Sequence, residues 1–299
     1  IFIFIVSKCI NTKNIFKYSF ILYIISIVLL IYVLMFGKVI NGAKAWITIK
    51  GLSFQPSELT KLSLAIMLSD LAGKFKSTGI KSEFIFLLKV AILILIPSVL
   101  VFLEPDSGAI IFFLVITLAI LIFSDIHKFW FTIVFILIAL FIGGFILLYL
   151  YNKDLLINLI GTSFFYRVER LITFKTMSSY QLENALVAMG SSSLLGTGLG
   201  KVSLYIPEAP TDFIFAFSIS NFGYLCGFII LSCYFLMDLF LINKIINMKK
   251  NTLKYILISF TSIFLFGQII NIGMNLGLLP IIGIPLPFLS YGGSTLIIY

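Results

Sequence analysis

Residues Phe129–Tyr151 read FWFTIVFILIALFIGGFILLYLY, an apolar run without one charged side chain. A helix needs about 20 mostly apolar residues to cross the hydrocarbon core of a bilayer. A run of this length exceeds any ordinary strand, so helix is the reading. Similar runs flank it: Tyr18–Phe36, Glu83–Leu103, Gly108–Phe123, Phe213–Leu241 and Leu253–Leu276. Ser57–Leu71 is shorter and carries charge, and is a further candidate span. Ile1–Val6 reads as the tail of a cut helix, and a last span starts near Ser290, so the chain looks cut at both ends.

Composition supports the same class. Of 299 residues, 61% are hydrophobic and 11% charged, whereas soluble domains carry about 25% charged residues. The expected fold is all-α: a polytopic transmembrane helix bundle of about 8–9 spans, one membrane domain over residues 1–299. A soluble fold is excluded, because so much apolar surface needs lipid as its solvent.

The net charge of +9 could suggest nucleic acid, but its distribution does not. Lysines sit in short, separate loops: Lys8, Lys13 and Lys17; Lys74, Lys76 and Lys81; Lys128; and Lys244, Lys249, Lys250 and Lys254. No single basic patch forms, so nucleic acid is not an expected partner. Lysine-rich loops mark the cytoplasmic side, facing anionic membrane lipids. The other loops then lie outside, among them a large extracellular loop over residues 152–211. It is far longer than an ordinary connection, and such loops are commonly functional. Its apolar periodicity over Ser163–Phe174 and Gln181–Met189 predicts amphipathic helices. Chemistry is expected on this face.

Ile206–Ala216, IPEAPTDFIFA, is the most informative stretch there. Asp212 stands at the mouth of a span. An acid so placed is costly and is a functional candidate by default, although Asp is also a good helix N-cap. His127 is the single histidine and falls in a cytoplasmic loop, so a general base must be a carboxylate. In Asn41–Thr60, NGAKAWITIKGLSFQPSELT, Trp46 suits the membrane interface and Pro56 opens a helix. Glu58 and Lys61, three apart, share a helical face and can pair. In EPDSG (Glu104–Gly108), Asp106 reads as a cap, and Glu104 with Asp106 could alternatively take a cation. In YRVER, Arg167 and Arg170 share a face; their guanidinium forks suit a pyrophosphate, and equally lipid headgroups. GSSSLLGTGLG (Gly190–Gly200) lacks the strand context and Lys-Ser ending of a nucleotide loop. GLLPIIGIPLPFLSYGG (Gly277–Gly293) breaks its helix with prolines, leaving backbone groups that must be buried in protein or line a wet cavity. No metal-ligand motif is visible, and Cys9, Cys226 and Cys233 lack CxxC spacing.

Taken in chain order, NGAKAWI, FQPSELTKL, EPDSG, YQLENALVAMGSSSLLGTGLG, PEAPTDFIFA and LPIIGIPLPFLSYGGS resemble the SEDS family of RodA, FtsW and SpoVE, closer to the FtsW/SpoVE pattern. The resemblance covers the whole chain. It implies a peptidoglycan glycosyltransferase of the bacterial cytoplasmic (inner) membrane, in division or cell-shape maintenance, whose full fold has roughly ten spans. Lipid II would be its substrate and a class B penicillin-binding protein its partner. Asp212 matches the family's essential aspartate, and Trp46 its GAxxW tryptophan. The reaction would be one inverting displacement: Asp212 takes the acceptor proton, and Arg167, Arg170 or Lys44 hold the leaving pyrophosphate, with or without a divalent cation such as Mg2+. Trp46, Lys44, Glu58 and Lys61 are further substrate-side candidates. The family's His before TDFIF is Pro210 here, and its Glu-Glu pair is Ser220 and Asn221. Two rival roles follow: a lipid II flippase, or a catalytically degenerate scaffold for the penicillin-binding protein.

Overall fold

The computed structural model describes residues 16–40, 43–49, 52–162, 165, 169, 180–198 and 204–291. In chain order the elements are α1 (Ser19–Phe36), β1 (Lys38–Ile40), β2 (Ala43–Ile49), β3 (Leu52–Phe54), α2 (Pro56–Lys74), α3 (Ile80–Leu103), α4 (Ser107–Phe123), α5 (Lys128–Tyr151), α6 (Lys153–Ile160), α7 (Tyr180–Gly190), α8 (Ile214–Asn247) and α9 (Thr252–Asn275). Five of these, α1, α3, α5, α8 and α9, are long and apolar enough to cross a membrane. The expected terminal spans, Ile1–Val6 and the one near Ser290, lie largely outside the described residues, as does Ser163–Phe174. The second amphipathic stretch, Gln181–Met189, is helix α7.

Helix α2 has too little apolar character for a lipid-facing span because it is the centre of the bundle. It packs against α1, α4 and α9, and its polar residues Ser57, Glu58, Thr60, Lys61, Ser63, Ser69 and Asp70 are buried. Its neighbours show the inverse pattern, with Ile92, Leu95 and Val99 of α3 and Ile122 of α4 exposed to the bilayer side. Protein, not lipid, solvates the polar core. Ser26 meets Ser63 across α1 and α2 at 2.8 Å, and Ser69 meets Ser259 across α2 and α9 at 3.3 Å.

The structure is the expected helix bundle, with one small sheet added to it. Residues Lys38–Phe54 form a three-stranded antiparallel sheet in the order β1-β2-β3, with Lys38 opposite Trp46 and Thr48 opposite Ser53. The alternation Ala-Lys-Ala-Trp-Ile-Thr-Ile in β2 is the period-2 signal of a half-buried strand.

Three of the lysine-bearing loops, α2–α3, α4–α5 and α8–α9, gather at one end of the bundle. Lys250 pairs with Asp125 at 2.5 Å, and Tyr255 Oη donates to the Phe123 carbonyl, joining the α4–α5 and α8–α9 loops. At the same end Glu83, fully buried, accepts from Ser77 Oγ, from the His127 backbone N–H and ring, and from Trp130 Nε1 at 2.8 Å. That carboxylate fastens the start of α5, which packs chiefly on α6 and buries no residue of its apolar window. Nothing in the sequence marks Glu83 as a hub.

Candidate active site

The opposite end brings together segments that are far apart in sequence. Pro207–Phe213 forms a tight turn in which the Glu208 carbonyl, at φ +54°, accepts from the N–H groups of Thr211, Asp212 and Phe213. The carbonyls of Pro210, Thr211 and Asp212 are each held from elsewhere. Tyr291 N–H donates to Pro210 O at 2.7 Å, and Ser290 Oγ to Thr211 O at 2.6 Å. Asn271 and Asn275 both donate from Nδ2 to Asp212 O at 2.9 Å. The two amides stand one turn apart on α9, so they present to one face. Asn275 Oδ1 also accepts from Ala216 N–H, and Asn271 also donates to Ile284 O. Both asparagines are fully buried. The backbone of Asp212 is thereby fixed on α9 and on the proline-broken segment that follows it.

Its side chain is left uncommitted. The cap of α8 is Phe213, with no side-chain capping bond, so Asp212 is not the N-cap that its position allowed. The half-buried carboxylate accepts no hydrogen bond among the described residues. Burial, and then the nearby Glu208 charge, push it up to about 6. Beside it lies Gly283 at φ +73°, where an added methyl would stand 3.6 Å from Oδ2. The PIIGIP segment thus forms a wall beside the carboxylate while withholding a side chain at the point of closest approach.

The EPDSG turn adjoins this wall. A methyl at Gly108 would meet both Asp106 Oδ1, at 3.7 Å, and Ile282 O, at 3.9 Å. Asp106 caps α4 through Ala109 N–H and accepts from Gln55 Nε2 and Ser57 Oγ at 2.8 and 2.9 Å. FQPSE, EPDSG, PIIGIP and PEAPTDF are therefore linked in series, ending at Asp212. Glu104, fully buried at the start of the EPDSG turn, has no hydrogen-bond partner for either oxygen among the described residues. Burial first, and Asp106 second, hold its proton up to about 8.

The other candidates fall in different places. Glu58 and Lys61 make the expected pair at 2.5 Å, both buried, with Lys61 Nζ 4.3 Å from the Phe112 ring centre. Lys44 turns back to cap α1, donating to Leu34 O and Met35 O at 2.8 and 3.1 Å; its ammonium is occupied. Trp46 is half-buried on β2 and borders a separate groove. Arg167 and Arg170 lie outside the described residues. Gln268, within α9, donates to Asp238 of α8 at 3.1 Å.

The glycine-rich stretch has a structural account. Helix α8 is broken at Gly223, φ +82°. The loop Ser193–Gly198 occupies the break: Thr197 N–H donates to Ser220 O and Gly198 N–H to Asn221 O. In return Tyr224 and Leu225 N–H donate to Ser193 and Leu194 carbonyls. The two backbones approach so closely that a methyl at Gly196 would lie 2.3 Å from Asn221 O, and one at Gly223 2.1 Å from Leu194 O.

Comparison with known proteins follows the same outline. A probable peptidoglycan glycosyltransferase FtsW from Buchnera aphidicola subsp. Baizongia pistaciae is 36% identical, over 94% of this chain and 73% of its own length. The protein of the same description from Acinetobacter baylyi is 32% identical over 94% and 69%. Among solved structures, a chain from work on structural coordination of polymerization and crosslinking by a peptidoglycan synthase complex superposes with a TM-score of 0.75. It is 24% identical, and 99% of this chain and 82% of that one are covered. Thermus thermophilus rod shape determining protein RodA superposes at 0.66, with 23% identity over 99% and 79%. The family described as cell cycle protein, FtsW/RodA/SpoVE, matches residues 1–299, and the chain belongs to it.

Proposed function

We propose that the chain is an inverting peptidoglycan glycosyltransferase that polymerises lipid II into glycan strands at the outer face of the bacterial cytoplasmic membrane. The observation that carries this reading is the Asp212 carboxylate: clamped through its backbone, unbonded at its side chain, and raised to about 6. A base poised just below neutral pH is charged when the reaction runs, yet basic enough to take a proton.

Lipid II carries an α-linked sugar on a pyrophosphate. The acceptor 4-hydroxyl attacks the anomeric carbon and its proton passes to Asp212. The new β-glycosidic C–O bond forms as the bond to the pyrophosphate breaks, and the polyprenyl pyrophosphate leaves with the electron pair. Both lipid tails stay in the bilayer, which restricts the reactants to one plane and orientation. Lys44 is engaged in capping, so Arg167 and Arg170 are the cations assigned to the leaving group. A divalent cation such as Mg2+ would accompany the pyrophosphate as counter-ion; among the described residues no group of three or more His, Cys, Asp or Glu could hold one. Trp46, Glu58 and Lys61 remain on the substrate side of this proposal, the buried pair acting by shaping α2 rather than by direct contact.

A class B penicillin-binding protein is the proposed partner, and the likeness to a chain of a peptidoglycan synthase complex supports it. Flipping is less well supported. A flippase needs polar groups free along the spans, and the α9 amides are consumed in holding Asp212 and Ile284.

Asp212→Asn tests the reading. The purified variant, with its partner and lipid II, is expected to fold with an unchanged melting profile and to lose glycan synthesis by at least about 100-fold. Near-normal product from folded variant would reject Asp212 as the base; absence of product from the parent itself would leave the scaffold role.

A further inference from the structure

We infer that Tyr234, in the second part of α8, is a positioning residue for the Asp212 carboxylate and acts on it through the Pro287 carbonyl. The inference rests on Asp212 as the base of the proposed reaction. Past the break at Gly223, the two parts of α8 pack on each other: a methyl at Gly227 would meet the Ile219 side chain at 2.9 Å and the Phe215 ring at 4.0 Å. Tyr234 thereby joins one buried cluster with Phe213, the residue that follows Asp212, and with Phe215, Phe264 and Leu286. Its hydroxyl donates to the carbonyl of Pro287, which is itself buried.

Pro287 stands within a segment that meets the Asp212 turn at both of its ends. At one end Gly283 lies beside Asp212 Oδ2. At the other, Ser290 Oγ and Tyr291 N–H hold the carbonyls of Thr211 and Pro210. The segment does not keep this shape unaided. Phe288 sits in the left-handed region at φ +63°, which non-glycine residues rarely adopt. Such a conformation persists only where its surroundings over-determine it. Here they act from three sides. Ser290 Oγ accepts from Leu286 N–H at 2.7 Å and closes the turn. Helix α9 comes up against Pro287 at Gly267, where a methyl would stand 3.2 Å from Pro287 Cγ. Tyr234 holds the carbonyl. Without that hydroxyl the buried carbonyl loses its donor, and the turn is released to rotate toward an unstrained φ. Rotation moves Gly283 on one side of Asp212 and the Ser290 clamp on the other, so the carboxylate is displaced and meets more water. Tyr234 makes no bond to Asp212 among the described residues, and its effect is on placement alone.

Three tyrosines give a matched test. Tyr23, Tyr234 and Tyr255 are all buried, and each donates its hydroxyl to a backbone carbonyl, of Leu93, Pro287 and Phe123 respectively. Each is changed to Phe. One readout is the carbon-13 carboxyl titration of Asp212, identified as the aspartate signal that Asp212→Asn removes. The other is kcat and KM for glycan synthesis with the partner and lipid II. Glu208 is the charge beside Asp212 and none of the three substitutions removes it, so a shift reports burial. Tyr234→Phe is expected to lower the Asp212 midpoint from about 6 by about one unit, and kcat by about tenfold at unchanged KM. Tyr23→Phe and Tyr255→Phe should leave both readouts at the parent's values, at similar losses of melting temperature. Ser290→Ala cuts the far end of the same link and should move the titration in the same direction; the double variant with Tyr234→Phe should move it no further than the larger single change. An unmoved titration in folded Tyr234→Phe overturns the inference, and so does a loss of synthesis that only follows melting temperature across the three variants. Should Tyr234→Phe fail to fold, an unmoved titration in Ser290→Ala overturns it instead. Absence of product from the parent would reject the proposed function, and the titration, which needs no catalysis, would then decide the placement by itself.

Discussion

At the scale of single residues, the acids sort by what their carboxylates touch. Glu58, Glu83, Asp106 and Asp70 each have a donor or cation beside them. Asp212 and Glu104 have none on either oxygen among the described residues, and these two are raised. For Asp212 the consequence is kinetic. A base must be deprotonated to act, so glycan synthesis should rise with pH through a midpoint of about 6. Glu208→Gln removes the smaller of its two causes and should move that midpoint to lower pH, while burial keeps it above the ordinary aspartate range. Initial rates across the acid limb read both effects, and a flat profile would remove Asp212 from proton transfer. For Glu104 the consequence is stability. Its folded value of about 8 lies above the ordinary 4.5, so the folded state holds a proton that the unfolded state has released. Its contribution is full below 4.5 and lost as pH rises through about 8. Glu104→Gln, which mimics the protonated acid, should flatten the fall in melting temperature over that window. A fall of unchanged steepness would place the cause elsewhere.

At the scale of elements, the informative feature is that α8 is two helices. Its first part, from Ile214 to Gly223, follows directly from Asp212 and is tied at both ends: by Asn275 on Ala216 and by the Ser193–Gly198 loop at the break. Asp212 is thus placed by a short rigid segment rather than by a flexible loop mouth. Gly196, Gly198 and Gly223 all have positive φ, yet a methyl at Gly198 meets nothing within 4 Å. Gly198→Ala should therefore cost only the backbone strain of about 1 kcal/mol. Gly196→Ala and Gly223→Ala add a backbone collision, and should cost at least about 2 kcal/mol more and lower synthesis as well. Denaturant titration in detergent compares the three; equal losses would mean that close approach does not select these glycines. None of this was legible in GSSSLLGTGLG. The stretch announces tight turns, but the reason for them is one glycine in an apolar run more than twenty residues later. The asparagines of α9 were hidden in the same way. Spacing gives the face that Asn271 and Asn275 share, and not the carbonyl that they hold. Asp212 itself could be read, because an acid at the mouth of a span stands out against apolar surroundings.

At the scale of the molecule, the spans were legible because each is a local property of its own sequence, whereas α2 was the faintest because its polar residues make sense only inside the bundle. The sheet over Lys38–Phe54 was missed because short strands between membrane helices carry little hydropathy signal. What the bundle adds is a polarity of its two ends. Lys74, the Glu83 cluster, Asp125 and Lys250 gather at one, and Asp106, Asp212 and the PIIGIP segment at the other. Lysine placement predicts the direction, since positively charged loops are expected on the cytoplasmic side. Polymerisation outside the membrane requires the Asp212 end, and the 152–211 segment that leads into it, to face outward. In a background with Cys9, Cys226 and Cys233 replaced by Ser, a membrane-impermeant maleimide should label Ser179→Cys in intact cells. Lys249→Cys, from the loop between α8 and α9, should be labelled only after lysis. The reverse pattern would put Asp212 on the cytoplasmic side, where the acceptor strand is not made, and would reject the polymerase reading together with the orientation. Labelling of both in intact cells would show a leaky membrane, which a cytoplasmic marker protein in the same cells exposes, so the comparison is made only where that marker stays unlabelled.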